Sequence, residues 1–458
     1  MGSALARNLA SRDLHVSVYN RHEEKTQTFL DRYQSGNLSG FKKLEGFVIS
    51  LSKPRKVLLM VEAGAPVDAV IGSLLPLLEA GDIIIDGGNS YFRDTVRREK
   101  ELKDKGIRFV GLGVSGGEEG ALRGPSMMAG GEQGAYEAVR PILEKAAAKD
   151  FMGMACLGYM GGSGAGHAVK MVHNGIEYAI MQVMNDVYHF LRHSCALEPA
   201  KIADTFDGWR KEGLSGYLIE IAIDIMRRKD DLGDGTLIEH ISDVSHQKGT
   251  GKWTSIEALE HGVPLSAITA GVETRLHSKD QESRKALSGH KVVPTKFKGD
   301  LPENLFHALR GSILVAFAQG VKLLDALSSS EEFQINVPEA LRVWQGGCII
   351  RMGLLKELAA AYAQSNQQGV SLLQTEMYTQ ACRVEDFGPA MEALSQARVP
   401  HPALSASYQW LLSSVSDPLP TTLIQGMRDY FGAHTYLRND REGIFHTRWQ
   451  DGSATIDA

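Results

Sequence analysis

The first 150 residues of the chain alternate short apolar runs with segments of helical period. Between the runs, AVIGSLLPLLEAG and DTVRREKELKDKG repeat apolar residues at the spacing of a helix face. The four runs with the length and composition of strands are HVSVYN from His15, KVLLMV from Lys56, DIIID from Asp82 and RFVGLGV from Arg108. This alternation predicts parallel strands with crossover helices, and such sheets bind ligands beyond the carboxyl ends of their strands.

The pattern changes after about residue 163. Long helical patterns dominate from Gly166 to about Ser414, and Gly and Pro residues separate them. The closing segment is aromatic and basic and has no long helical period beyond Tyr430. We predict an α/β Rossmann-like domain over residues 1–163, an all-helical domain over 164–416, and a C-terminal tail over 417–458 that packs on another surface.

Composition narrows the class of protein. The 458 residues are 43% hydrophobic and 23% charged, and no apolar run approaches the roughly 18 residues of a membrane span. The four cysteines lack C-x-x-C spacing, and no basic region followed by an apolar stretch opens the chain. The net charge of −6 argues against nucleic acid as a partner. We therefore expect a cytoplasmic protein that binds neither nucleic acid nor membranes.

The loop after the first strand bears on a nucleotide cofactor. In a dinucleotide-binding fold, an acid at the end of the second strand suits the ribose of NAD, whereas an Arg accommodates the 2′-phosphate of NADP. In this chain the corresponding strand is the run HVSVYN, which ends at Asn20, and Arg21 follows it. In isolation such a pair is more often a solvated turn, and its place in the repeating α/β pattern favours NADP.

Two later loops, GGNS and SGGEEG, also follow strands. Their glycines allow the backbone to approach a ligand closely, and Asn89 and Ser115 are able to bond a hydroxyl or a carboxylate. Glycine-rich turns are also common for steric reasons alone. Because both loops follow strands of one sheet, they are expected to open into the same crevice.

The segment GAGHAVKMVHNGIEYAI carries an unusual polar stripe. Lys170, His173, Asn174, Glu177 and Tyr178 fall within an arc of roughly 140° on a helix, and apolar residues occupy the opposite side. A surface Lys/Glu ladder is the simpler interpretation. The His, Asn and Tyr on the same face, and the glycine-rich start of the helix, favour a stripe that lines a polar cleft.

Six blocks, IIIDGGNS, GVSGGEEGA, KMVHNGIEY, QKGTGKWT, GCIIR and RDYFGAHTY, together resemble the 6-phosphogluconate dehydrogenase family. The blocks run from near the start to near the end of the chain in the order of the family. The resemblance implies NADP-dependent oxidative decarboxylation of 6-phosphogluconate to ribulose 5-phosphate and CO₂. It also implies a homodimer in which the C-terminal tail completes the active site of the partner.

The resemblance assigns roles residue by residue. It makes Lys170 the general base and Glu177 the general acid, and a Lys acts as a base only when burial or nearby positive charge keeps it neutral. The residues implied for the sugar acid are Asn89, Ser115, Gly116, Gly117, His173 and Asn174. Those implied for its phosphate are Tyr178, Lys248, Thr250 and Arg275, with Arg428 and His434 supplied by the other subunit. The implied cofactor-binding residues are Asn20, Arg21, His22, Val61, Glu62, Ala63 and Asn89.

No metal is expected, because the sequence lacks a cluster of His and carboxylates with metal-ligand spacing. Three departures from the family concern the cofactor. His22 stands where the family usually has Ser or Thr, and Glu62 stands where it usually has Lys. The chain begins at MGSALARNL, inside the glycine-rich fingerprint, so that only Gly2 remains of it.

The sequence therefore lacks the first strand of the dinucleotide-binding domain, and we expect two inner strand edges without a partner and weakened NADP binding. Two alternatives to the decarboxylating enzyme stay open. One is a catalytically weak dimeric scaffold or substrate-binding chain, which the missing strand favours. The other is a different β-hydroxyacid dehydrogenase, which offers no reason for the phosphate cluster and the long tail.

Overall fold

The computed structural model describes residues 1–33, 35–287, 294–297, 305–329, 333–450 and the backbone of 453–457. Over the first third of the chain, strands and helices alternate. In chain order they are α1 Gly2–Ala10, β1 Val16–Tyr19, α2 Glu23–Arg32, β2 Leu38–Phe41, α3 Leu44–Ile49, β3 Lys56–Leu59, α4 Ala65–Leu74, β4 Ile83–Asp86, α5 Phe92–Lys103, β5 Arg108–Ser115, α6 Gly117–Arg123, β6 Ser126–Gly131, α7 Gln133–Ala146 and β7 Leu157–Gly161. The four strands predicted from apolar runs are β1, β3, β4 and β5.

The larger sheet has the strand order β3-β4-β5-β6-β7. Strands β3, β4 and β5 are parallel, as predicted, and Ile83 of β4 lies between Lys56 and Arg108. Strand β6, which the sequence patterns did not predict, runs antiparallel to β5. The reason is the connection, because the short helix α6 reverses the chain without the long crossover that a parallel neighbour requires.

The smaller sheet pairs β1 with β2 in parallel and stands apart from the larger one. Among the described strands, β1 pairs with β2 and β3 pairs with β4, and no ladder joins β1 to β3. The prediction of two strand edges without a partner is confirmed at this point. Helix α1 packs through Leu5 and Leu9 against Leu58 and Met60, so apolar contacts cover this region of the sheet.

Helices follow from Ala165 onward, as the sequence predicts. They are α8 Ala165–His193, α9 Pro199–Lys211, α10 Tyr217–Arg227, α11 Thr250–Glu260, α12 Ser266–Lys279, α13 Gln281–Leu287, α14 Leu305–Ser328, α15 Val337–Val343, α16 Leu354–Gln368, α17 Glu376–Ala381, α18 Val384–Ala397 and α19 Pro402–Val415. Helix α14 has the length and composition of a membrane span, but 78% of its most apolar window is buried inside the protein, as in the core helix of a globular protein.

Helix α8 is the centre of the helical part and packs on α11, α12, α14 and the strands β5 and β6. Glycines bring it unusually close to the sheet. A Cβ at Gly113 of β5 would lie 2.4 Å from the Cβ of Lys170, and a Cβ at Gly166 would lie 2.5 Å from the carbonyl oxygen of Gly111. Since any side chain there would push the helix away, these glycines fix Lys170 directly over β5.

The chain divides into two compact units, Met1–Tyr408 and Gln409–Ala458. The second unit contains α20 Thr422–Gly432 and an antiparallel pair of strands, β8 Phe445–Arg448 and β9 Ser453–Asp457. The predicted domain boundaries at residues 163 and 416 stay predictions.

Candidate active site

The polar stripe of α8 is buried. Lys170, His173, Asn174 and Tyr178 are each less than a tenth exposed, and Glu177 keeps about a fifth of its side-chain surface exposed. The apolar side of the same helix is buried as well, since α8 is surrounded by other elements. The structure therefore excludes a solvent-exposed Lys/Glu ladder and supports a stripe that lines an interior polar site.

Hydrogen bonds join the stripe to the sheet and to α11. The Lys170 Nζ donates to the Asn174 Oδ1 at 2.8 Å, and the Asn174 Nδ2 donates to the Thr250 Oγ1 at 3.0 Å. The His173 Nε2 lies 3.2 Å from the Ser115 Oγ at the end of β5. Three separate elements thus converge on one cluster, which holds the amine of Lys170 in a defined direction.

Burial controls the charge of Lys170. Loss of solvent lowers the pKa of its amine, and the nearby Glu177 and Cys348 oppose that shift by favouring the charged form. A Lys with a lowered pKa is more often neutral near physiological pH and is able to accept a proton. The position therefore has the property that a general base requires.

Burial raises the pKa of Glu177, whereas it lowers the pKa of Lys170. Desolvation raises the pKa of its carboxyl group, whereas the charges of Lys170 and Arg275 lower it. Burial, reinforced by Lys170, also holds the pKa of His173 well below its ordinary value, so this imidazole is neutral. The stripe thus combines a base that tends to be neutral with an acid that tends to keep its proton, which is the division of labour for moving protons in both directions.

Three of the residues implied for a phosphate, Tyr178, Thr250 and Arg275, lie on three different helices. The Arg275 guanidinium of α12 lies 3.5 Å from the centroid of the Tyr178 ring. A Cβ at Gly251 of α11 would lie 2.7 Å from the same ring, so α11 packs directly on Tyr178. Thr250 is the first residue of α11, and the exposed Lys248 precedes it by two residues. Cationic side chains beside the N-terminus of a helix suit an anionic group.

The two glycine-rich loops lie at the carboxyl ends of neighbouring strands, β4 and β5. The Asp86 carboxylate at the end of β4 accepts from the Gly88 backbone N–H at 3.1 Å and from the Ser90 Oγ at 2.6 Å. These bonds fold the loop so that Asn89 stands at its tip, half-buried. Ser115 is buried at the end of β5.

Gly116 and Gly117 require glycine for their backbone geometry. Their φ angles are +124° and +67°, a region that other residues rarely adopt. A Cβ at Gly116 would also lie 2.5 Å from the carbonyl oxygen of Gly347. The loop therefore presents bare backbone next to Ser115, which fits close approach of a small polar ligand.

The residues predicted to bind the adenosine part of the cofactor are exposed after β1. The Asn20 Oδ1 accepts from the His22 backbone N–H at 3.0 Å, and the Arg21 Nε donates to the His22 Nε2 at 3.2 Å. Within the described part of the chain, Arg21 forms no salt bridge, so its charge is available to a ligand. A guanidinium and an amide at the end of this strand fit a ribose 2′-phosphate better than a free hydroxyl.

The second predicted cofactor segment, Val61 to Ala63, follows β3 in the larger sheet, and the side chain of Glu62 within it is exposed. A Cβ at Gly88 would lie 3.0 Å from the Val61 carbonyl oxygen, so this segment lies beside the Asn89 loop. The cofactor-binding roles of these residues stay predictions.

Arg428 and His434 belong to the second unit and are both exposed. The Arg428 Nη1 donates to the Gln425 Oε1 at 3.2 Å, and the His434 ring makes an edge contact with Phe431 at a centroid distance of 6.1 Å. Their role in binding a phosphate also stays a prediction.

Sequence reasoning missed several residues that support the stripe. The Trp344 ring is fully buried and meets the edge of His173 at a centroid distance of 5.8 Å. Cys348 lies near enough to Lys170 for each to affect the charge of the other. The Thr254 Oγ1 donates to the Met171 carbonyl oxygen at 2.9 Å. The block GCIIR was a usable signal for Cys348, although the sequence does not say what the block touches.

Across the described ranges, no group of three or more His, Cys, Asp or Glu side chains is arranged to hold a metal ion.

Comparison with known proteins agrees with this geometry. Residues 166–449 match the family described as 6-phosphogluconate dehydrogenase, C-terminal domain, and residues 1–162 match the NAD binding domain of 6-phosphogluconate dehydrogenase. The chain is 46% identical to the NADP(+)-dependent, decarboxylating 6-phosphogluconate dehydrogenase of Bacillus subtilis, with 98% of this chain and 97% of that protein covered.

Two further relatives extend the match. The chain is 45% identical to the decarboxylating 6-phosphogluconate dehydrogenase of Lactococcus lactis, with 98% and 96% covered. A solved structure of the Plasmodium falciparum 6-phosphogluconate dehydrogenase, studied in its apo form and in complex with its cofactor NADP+ and its substrate 6-phosphogluconate, superposes with a TM-score of 0.92 at 37% identity over 98% of each chain. The chain therefore belongs to the 6-phosphogluconate dehydrogenase family.

Proposed function

We propose that the chain catalyses the NADP-dependent oxidative decarboxylation of 6-phosphogluconate to ribulose 5-phosphate and CO₂, a step of the pentose phosphate pathway. The observation that carries this proposal is the buried network from Lys170 through Asn174 to Thr250. It combines a base with a lowered pKa and residues suited to a phosphorylated sugar acid, in a chain whose relatives are named for this reaction.

The first step removes a hydride from carbon 3 of the substrate and a proton from its 3-hydroxyl group. NADP, when bound, accepts the hydride. Lys170 in its neutral form takes the proton of the 3-hydroxyl group, and its bond to the Asn174 Oδ1 keeps the amine aimed in one direction. The product of this step is a β-keto acid, and Lys170 is left protonated.

The second step releases CO₂ from the β-keto acid. Electron density from the breaking bond moves onto the ketone oxygen, which becomes enolate-like, and the ammonium group of Lys170 stabilises it and gives it a proton. This transfer forms the enediol and leaves Lys170 neutral. The site is shielded from water by its burial, which strengthens this electrostatic contribution. Lys170 therefore acts first as a proton acceptor and then as a proton donor.

The third step converts the enediol to ribulose 5-phosphate. Glu177 gives its proton to carbon 1 of the enediol, and Lys170 receives the proton of the enediol hydroxyl. Desolvation raises the pKa of Glu177, which favours the protonated carboxyl group that this step requires. Because Glu177 lies two helical turns from Lys170 on one face of α8, both groups are able to serve one substrate.

The scaffold alternative is disfavoured by the cost of the site. Burying the ionisable groups of Lys170, His173 and Glu177 in one cluster is unfavourable for folding, because each loses its hydration. A protein with only a binding role has no need for that arrangement. The cytoplasmic setting and the absence of nucleic-acid and membrane partners stay expectations.

We also propose a homodimer in which the second unit serves the partner subunit. In its support, that unit exposes many large apolar side chains before, along and after α20, which a further surface would be expected to cover. They include Leu419, Leu423, Ile424, Met427, Phe431 and Leu437. Arg428 and His434 lie within the same surface segment.

The function is tested by following NADPH formation from 6-phosphogluconate together with the release of CO₂. The proposal requires NADPH, CO₂ and ribulose 5-phosphate in equal amounts, and a strong preference for NADP over NAD. A phosphate-free β-hydroxy acid serves as the control substrate. Equal turnover of the two substrates would favour a different β-hydroxyacid dehydrogenase, and no turnover would favour the scaffold.

The shared site is tested by mixing a chain that carries Arg428→Met with one that carries Lys170→Met. Hybrid dimers contain one site with both defects and one with neither, so activity should return after mixing. If hybrids form and activity does not return, each tail serves its own subunit.

A further inference from the structure

The Asp429 carboxylate is fully buried within the second unit. Its Oδ1 accepts from the Thr435 backbone N–H and from the His446 Nδ1, each at 2.9 Å. Its Oδ2 accepts from the Thr447 backbone N–H at 3.0 Å and from the Trp449 Nε1 at 2.9 Å. One carboxylate thus joins the helix α20, the loop after it, the strand β8 and the residue following β8.

The same bonds explain the acidity of Asp429. Burial raises the pKa of this carboxyl group, but the bonds from His446, the Thr447 amide and Trp449 outweigh burial and lower the pKa to about 2. Asp429 therefore stays charged across the physiological pH range. Bonds to an ionised acceptor are stronger than those between neutral groups, so the carboxylate is a firm anchor.

The segment that Asp429 holds carries both predicted phosphate ligands. Arg428 precedes Asp429 directly, and His434 precedes Thr435, whose N–H the carboxylate binds. The backbone around His434 is in an unfavourable conformation, because φ is +49° at Ala433 and +59° at Thr435. Residues with a Cβ adopt such angles only when surrounding bonds hold them there, and such strain is common at functional sites.

We infer that Asp429 is a positioning residue, which fixes Arg428 and His434 in the arrangement that binds the substrate phosphate. This inference rests on the proposed function and deepens it. The bond from Thr435 to the carboxylate closes the strained turn after α20 and so sets the direction of His434. The fixed end of α20 sets the direction of Arg428. Asp429 itself, being buried behind its four donors, acts through these two neighbours.

The variant Asp429→Asn tests the inference. An Asn side chain has nearly the same shape, but its NH₂ group faces an N–H donor where the carboxylate oxygen accepted, so at least one side loses its bonds. We expect the KM for 6-phosphogluconate to rise by about tenfold or more, while kcat changes by less than about threefold, because the reacting groups are on α8. Asp440→Asn is the matched control, since Asp440 is half exposed in the same unit and pairs with Arg438. It should leave both constants unchanged.

The phosphate gives a readout that a general structural defect would not produce. The ratio of kcat/KM for 6-phosphogluconate to that for unphosphorylated gluconate should fall about tenfold in Asp429→Asn, because only the phosphate contact is lost. In an Arg428→Met background, Asp429→Asn should cause a much smaller further loss, since the two act as a unit. An equal fall for both substrates, or full additivity with Arg428→Met, would overturn the inference.

If Asp429→Asn fails to fold, the milder variant Trp449→Phe removes one donor and keeps a smaller aromatic ring. It should raise the KM for 6-phosphogluconate about two- to fivefold and leave the KM for gluconate unchanged, in keeping with the loss of a single bond to a charged acceptor. An unchanged KM for 6-phosphogluconate would overturn the inference. The wild-type assay distinguishes failure of the proposed function from failure of the inference about Asp429. A wild type without activity refutes the function, whereas a fully active Asp429→Asn refutes only the positioning role.

Discussion

Replacing Lys170 by Met removes the proposed base and keeps an unbranched stem of similar volume. The structure limits what else changes. The variant loses two contacts of the Lys170 Nζ, to the Asn174 Oδ1 at 2.8 Å and to the His173 Nδ1 at 3.4 Å, and Asn174 retains its bond to Thr250. The methionine occupies a site that is already desolvated, so the fold and the substrate-binding residues should stay in place.

The expected loss of activity is large because one group serves several steps. General base catalysis alone contributes about 10²–10⁴-fold, and stabilisation of the enolate adds to the role of the same amine. We expect kcat/KM to fall by at least about 10³-fold, or roughly 4 kcal/mol of transition-state stabilisation. The free energy of unfolding should change little, since the lost hydrogen bonds cost about 1–3 kcal/mol and removal of a buried amine offsets this cost. The Asn174 Oδ1 keeps the His173 Nδ1 at 3.1 Å.

The pH dependence of stability gives an independent check of the lowered pKa of Lys170. In the folded protein this pKa lies below the ordinary 10.5, because burial disfavours the charged amine. Between the folded pKa and 10.5, the unfolded chain binds a proton that the folded chain does not. The free energy of unfolding of the wild type should therefore rise with pH across this window, and the slope should be smaller in Lys170→Met.

The assays are NADPH formation for activity and thermal unfolding at several pH values for stability. Lys201→Met is the control, because Lys201 is exposed on α9 and lies outside the site. Activity of Lys170→Met within about tenfold of the wild type would refute the general-base assignment. An identical pH slope in wild type and variant would refute the lowered pKa.

Three further predictions concern other parts of the site. Glu177→Gln should slow formation of ribulose 5-phosphate by about 10²-fold or more, because an amide cannot supply the proton for carbon 1; product analysis by chromatography measures this, and an unchanged rate would contradict the role. Arg21→Ala should lower the preference for NADP over NAD by about tenfold or more in kcat/KM, and an unchanged ratio would show that other residues read the 2′-phosphate. Glu257→Gln should lower the free energy of unfolding by about 1–3 kcal/mol in denaturant titration, since the buried carboxylate receives two bonds from Arg93. The control is the same substitution at the exposed Glu260 on the same helix, and equal stability of the two variants would contradict this prediction.

Much of the α/β fold was predictable from local pattern. Buried strands such as IIID from Ile83 contain only apolar residues up to the last position, and helices between them show a helical period, so type and order could be read directly. The antiparallel direction of β6 could not, because it depends on whether α6 crosses the sheet, and helix length is the least reliable part of such a prediction. The strands β2, β6 and β7 were also missed, since LSGF and the glycine-rich SMMAGG and LGYMG lack the usual strand composition.

The candidate site also has a part that was predictable from the sequence and a part that was not. The stripe on α8 was predictable, because Lys170 to Tyr178 are local and a helix fixes their mutual directions. Its partners Ser115 and Thr250 are 58 and 76 residues from the residues they bond, so only the resemblance to a family placed them in one site. No periodicity in the chain specifies such long-range contacts.

Buried acids outside the stripe show where sequence reasoning stops. Glu257 occupies a position of α11 that the sequence pattern presents as an ordinary helical carboxylate, three residues before the exposed Glu260. The structure shows that it receives hydrogen bonds from Arg93 and Tyr91, more than 160 residues away. These bonds tie the start of α5, three residues beyond Asn89, to the helix that begins with Thr250. The stabilising contribution of a carboxylate depends on the hydrogen-bond donors that surround it. For Glu257 those donors are far away in the sequence. A sequence therefore reveals which residues are able to carry charge, whereas the fold decides which of those charges hold the site together.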